Sequence, residues 1–69
     1  MLFTDLSSER VVNALAKVGF RVVKQGKHIS MSDDNHRVTI PRHKRINPYT
    51  LKSIIKSAGL TDKKFKELI

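Results

Sequence analysis

The chain has 69 residues, with 14 Lys and Arg against 6 Asp and Glu, a formal net charge of +8. It has no cysteine, so neither a disulfide framework nor a thiolate metal site supports so small a fold. Apolar residues reach 39%, too many for a disordered basic tail. No apolar run approaches the ~20 residues of a membrane span.

A chain of this length buries only about 60% of the surface its unfolded form exposes, so a single domain over residues 1–69 with a small core is expected. Met1-Leu2-Phe3 meets Asp5 at once, with no basic or apolar leader region, which points to a cytoplasmic protein. A pI near 10.3 makes a polyanion the expected macromolecular partner, because neutralised phosphates release their counterions. Charge alone favours nucleic acid over a surface that serves only solubility.

Ser7 to Val18 reads as a helix. Ser7 or Ser8 caps its start, Glu9 suits the dipole of the first turn, and Val11, Leu15 and Val18 recur at helical spacing, widened by Val12 and Ala14. Gly19 stops it, after Lys17 as a C-terminal cation. The period then changes. Phe20 to Gln25 is β-branched and aromatic and ends at the turn-prone pair Gly26-Lys27. His28-Ile29-Ser30-Met31-Ser32 alternates strictly, Asp33-Asp34-Asn35 forms a turn, and Arg37 to Ile40 alternates again before Pro41. Two close turns predict a three-stranded antiparallel meander. Its apolar face holds Val22, Ile29, Met31, Val38 and Ile40 with Phe20, and needs helices to cover it. Its other face holds His28, Ser30, Arg37 and Thr39.

Arg42 to Ile46 is a basic loop. Asn47-Pro48 is a cap followed by proline at the first helical position, and Leu51, Ile54, Ile55 and Ala58 form one apolar stripe that Gly59 ends. Lys52 and Lys56 share that helix's polar face. Leu60-Thr61-Asp62 offers a staple and cap for a short last helix, docked by Phe65, Leu68 and Ile69, with Lys63, Lys64 and Lys66 in solvent. The expected fold is α+β: α-β-β-β-α plus a short α, with the helices on one face of the sheet. That is the topology of double-stranded-RNA-binding domains.

Four strings narrow the reading further. Val18-Gly19-Phe20 resembles an "AGF" motif, Gln25-Gly26-Lys27-His28 a "Q-x-G-S-H" motif, and Val38 to His43 a "VTVPRH" motif. Tyr49 to Leu60 resembles "GTLRSILKQAGL". In this order and spacing they resemble the HicA toxins, small mRNA-cleaving ribonucleases of toxin–antitoxin systems. The resemblance implies a ribosome-independent mRNA endonuclease, neutralised by a HicB-type antitoxin that covers the face bearing the catalytic histidine. The residue matching that histidine is His28. Lys27 stands where the family has serine, and Tyr49 where it has glycine.

Metal-free RNA cleavage needs a proton acceptor near the 2′-hydroxyl, a donor near the leaving 5′-oxygen and positive charge on the phosphate. Histidine suits proton transfer because its unperturbed pKa is near 6.5. Polar parity alone leaves His28 an ordinary exposed strand histidine; the family resemblance makes it catalytic, as acid or as base. Lys24, Lys27, Arg37, Arg42, His43, Lys44 and Arg45 are the candidate RNA contacts, with Lys52 beside them. Lys27 and Arg42 are expected to neutralise the scissile phosphate. His43 is a second proton carrier or merely a phosphate contact, and His36 reads as a turn residue. Tyr49 either stacks a base or packs on the helix surface. Ser30 and Ser32 lack a partner acid for serine-hydrolase chemistry. No histidine pair has metal-ligand spacing on a helix, so neither a metal nor a small-molecule cofactor is expected. A membrane role is disfavoured because the helical stripes are used by the core. The alternative to the toxin is a non-catalytic RNA-binding module of the same fold.

Overall fold

The computed structural model describes residues 3–69; the reading of Met1 and Leu2 as free of a leader falls outside them. The order is α1 (Ser8–Ala16), β1 (Arg21–Gln25), β2 (His28–Ser32), β3 (Arg37–Pro41), α2 (Pro48–Ser57) and α3 (Asp62–Leu68). The strands form one antiparallel sheet in the order β1-β2-β3. The expected α+β architecture is the one observed.

Local chemistry sets the element ends. The Ser7 side chain accepts from the Arg10 amide, Asn47 from Tyr49, and Thr61 from Lys64, so each helix begins on a capped amide. Gly19 (φ +95°) and Gly59 (φ +74°) take up the left-handed conformation that ends α1 and α2. The first helix stops at Ala16 rather than Val18, because Lys17, Val18 and Gly19 turn on tight three-residue bonds to Ala14, Leu15 and Ala16. Lys17 does not serve its own helix end; its Nζ donates to the Leu68 carbonyl at 2.8 Å and so neutralises the end of α3.

The core runs between sheet and helices. Val11, Leu15, Met31, Ile40, Ile46, Leu51, Ile55 and Phe65 are fully buried within it. Phe3 packs edge-on against Phe65, with ring centroids 5.3 Å apart. Two expectations for this layer are corrected. Val22 lies on the helix-side face, yet it is 38% exposed, because α1 and α2 pack over β3 and leave the edge strand β1 overhanging. Ile69 does not dock α3; it is 40% exposed, beyond the last helical residue. Two core residues carried no periodic signal. Leu6 and Ile46 are isolated in polar segments, yet both are buried, and the Ile46 amide donates to the Leu6 carbonyl at 2.8 Å.

Candidate active site

His28 opens β2 at the sheet end closed by the Gly26–Lys27 turn, opposite Pro41 on β3. Ile29 and Met31 point toward the helices, so the two-residue period of a strand turns His28, Ser30 and Ser32 to the open face. Across from them, β3 contributes Arg37 and Thr39.

Lys24 joins this face through an irregularity. Val22 pairs with Met31 but Lys24 pairs with Ser30, which leaves Val23 as a bulge. Unbroken alternation from Val22 would have put Lys24 on the helix side; the extra residue turns it toward solvent beside Ser30. Arg21, opposite Ser32, faces the same way, but its guanidinium is held by Asp34 at 2.6 Å. No residue of the three strands is acidic. The open face is therefore a grid of cations and hydroxyls with a histidine at one end.

The candidate cations do not all gather at that histidine. Lys27 is its immediate neighbour in the turn, and Lys24 lies two pairs away, opposite Ser30. Arg37 is at the far end of β3, about 13 Å along the strand from Pro41 at 3.3 Å per residue. Arg42 shares the His28 end, but its Nη2 reaches Gln25 Oε1 at 3.3 Å, and Gln25 pairs with Ile29 on the helix-side face. The basic loop is stitched down rather than loose. The His43 carbonyl accepts from the Ser8 amide at 3.0 Å, Ile46 is buried behind it, and Arg45 Nε lies 3.3 Å from Asp5 Oδ1. The His43, Lys44 and Arg45 side chains are left exposed. Tyr49, in the first turn of α2, is 71% exposed, so it does not pack on the loop.

His28 and His36 differ in occupancy. His36 Nδ1 lies 3.2 Å from Asp33 Oδ2, and Asp33 Oδ1 accepts from the His36 and Asn35 amides at 2.6 and 3.0 Å. Desolvation raises the Asp33 pKa, but those amides and the His36 ring outweigh it and hold the carboxyl below its ordinary 3.8. His36 is thus a structural turn residue. Among the described residues none hydrogen-bonds the His28 ring, which is open to an incoming ligand. Among the same residues, no three His, Cys, Asp or Glu side chains are grouped to hold a metal ion, and no helix is long and apolar enough to cross a membrane.

Sequence reasoning missed the open-face placement of Lys24 and Arg21, and the anchoring of the basic loop by Leu6 and Ile46. Leu6 had one local signal: it precedes the cap Ser7 and stands five residues before Val11, the spacing of a hydrophobic staple.

A helix-backed sheet whose free face is cationic and hydroxyl-lined, with a histidine at one end that no described residue hydrogen-bonds, defines a small α+β protein with one strongly basic face. The family model for the HicA toxin of bacterial toxin–antitoxin systems matches residues 8–60, and the chain belongs to that family. Comparison with curated proteins and with solved structures gave no match. The matched span includes all three strands, His28, the basic loop and α2.

Proposed function

We propose that this HicA-family toxin is a metal-independent endoribonuclease that cleaves mRNA in the cytoplasm, with His28 as its catalytic residue. The observation that carries the reading is the His28 ring, exposed at the end of a carboxylate-free cationic sheet and hydrogen-bonded to no described residue. RNA is self-sufficient for the chemistry once it is held and protons are moved. The 2′-oxygen attacks phosphorus and the bond to the 5′-oxygen breaks, leaving a 2′,3′-cyclic phosphate and a 5′-hydroxyl. His28 takes the 2′-hydroxyl proton or supplies one to the departing oxygen. Lys27, its neighbour, offsets charge on the non-bridging oxygens; Arg42, turned to the helix side, is not given this role. Lys24, Arg37, His43, Lys44 and Arg45 hold the flanking phosphates.

The 69 residues work as one unit, and a HicB-type antitoxin restrains it by covering the His28 face. Family membership supports a protein antitoxin as the partner. A second reading, a non-catalytic RNA-binding module, draws on one observation: among the described residues no carboxylate or second histidine orients the His28 ring.

The test uses a single-stranded RNA and the DNA strand of the same sequence, in EDTA. The toxin reading expects RNA fragments ending in cyclic phosphate and 5′-hydroxyl, with the DNA bound but uncut. Salt-sensitive binding of both strands and cleavage of neither supports the binding module instead.

A further inference from the structure

The overhang of β1 beyond the helices leaves a groove on the side of the sheet opposite the open face. It has a volume of about 310 Å³. Val12 of α1, Val22 of β1 and Ile29 of β2 form its apolar floor, and Glu9, Gln25 and Arg42 stand at its rim. Val22 is 38% exposed and Val23, in the adjoining bulge, 48%, which makes this edge an exposed aliphatic patch. Among the described residues, the Arg42 guanidinium at the rim has only the neutral Gln25 oxygen as a partner, at 3.3 Å. Four of its five donors remain for a carboxylate.

We infer that this groove is the anchor site of the antitoxin: an apolar side chain of the antitoxin fills the floor between Val12, Val22 and Ile29, and a carboxylate beside it pairs with Arg42. The inference rests on the toxin reading above and adds where the partner is held. Charge selects the occupant. A second copy of this chain would bring another +8 against the first. An RNA strand gains little from an aliphatic floor. An acidic protein with an apolar anchor satisfies floor and rim together, and a protein antitoxin is the partner that the family supplies. The position also explains restraint. Gln25, Ile29 and Arg42 flank the Gly26–His28 turn, so a partner seated in the groove lies directly behind His28 and needs only to wrap the sheet end to cover it.

The experiment measures the affinity of a purified HicB-type antitoxin for full-length wild type, Val22→Ala and Val22→Lys, by calorimetry, with RNA cleavage assayed in parallel. Val22 is an edge-strand residue, and lysine is well tolerated on edges, so the fold survives the charge. Expected is a loss of antitoxin affinity of about thirtyfold or more for Val22→Lys, the size of an interface hot spot, with a smaller loss for Val22→Ala and cleavage within about twofold of wild type. Unchanged antitoxin affinity in Val22→Lys overturns the inference. So does a loss of self-association or of RNA cleavage without a loss of antitoxin affinity, because the groove then belongs to a second copy or to RNA. Calorimetry needs no turnover, so a wild type that binds antitoxin but cleaves nothing counts against the ribonuclease reading and leaves the groove assignment standing.

Discussion

His36 and Gly59 meet across the turn between α2 and α3: His36 Nε2 lies 2.6 Å from the point a β-carbon on Gly59 would occupy. Gly19 is the natural comparison, since its φ is also positive but nothing stands within 4 Å of its added carbon. Gly19→Ala therefore carries only backbone strain, about 1–2 kcal/mol. Gly59→Ala carries that strain and must also push the His36 ring off Asp33. We expect it to cost about 1 kcal/mol more than Gly19→Ala in urea unfolding, within the usual range for overpacking. The excess should vanish in a His36→Ala background. Equal costs for the two glycines would show that the contact carries no energy.

The Asp33 carboxyl gives a pH dependence with a definite sign. Its folded pKa lies below the ordinary 3.8, so the folded state holds the ionised form more tightly than the unfolded chain does. The stability it contributes is fully present above the unfolded value and is lost as pH falls through the folded one. Asp33→Asn should accordingly lose stability near neutral pH and show a shallower decline than wild type below about pH 4. Parallel curves for the two proteins would remove Asp33 from the acid response.

At the C-terminal end, α3 is only seven residues long and depends on its cap and one aromatic anchor. Thr61→Ala removes the acceptor for the Lys64 amide and should cost about 1 kcal/mol. Phe65, with no exposed surface, should cost about 3–5 kcal/mol when changed to alanine. That is comparable with the whole stability of a domain this small, so Phe65→Ala should be largely unfolded by circular dichroism at room temperature. A cooperative melt near the wild-type midpoint would contradict the account of the core.

The elements that could be read from the sequence are those set by local chemistry. Asn47-Pro48 and Gly59 bound α2 because a cap, a proline and a left-handed glycine act within a few residues. His28 falls on the open face because Ile29 and Met31 fix the parity of β2 without interruption. What escaped was tertiary. Val22-Val23 fits either face, so the bulge that turns Lys24 outward leaves no mark in the pattern. The exposure of Val22 depends on where two helices sit on a sheet, and the burial of Ile46 on a partner forty residues away, Leu6. The helix-side placement of Arg42 was within reach of the pattern: it lies two residues past the buried Ile40, so alternation carried through Pro41 turns it to the face where its guanidinium meets Gln25.

The bulge makes a prediction for RNA binding, best measured in a His28→Ala background where nothing is cut. Each cation on a phosphate of a single strand contributes about 0.7 to the slope of log affinity against log salt. Lys24→Ala should lower that slope by about this amount and weaken binding alike for different sequences. Arg21→Ala should lower it less, because Asp34 already holds that guanidinium. An unchanged slope in Lys24→Ala would mean that the open face does not carry the RNA.

The most direct test of the central claim is a cleavage time course on one long single-stranded RNA, in EDTA, with wild type and His28→Ala side by side. The account predicts that wild type cuts and that His28→Ala is slower by about a hundred- to ten-thousandfold, with its RNA affinity and thermal midpoint unchanged. Equal rates for the two proteins would contradict it, because the open histidine at the end of the sheet would then have no part in the chemistry.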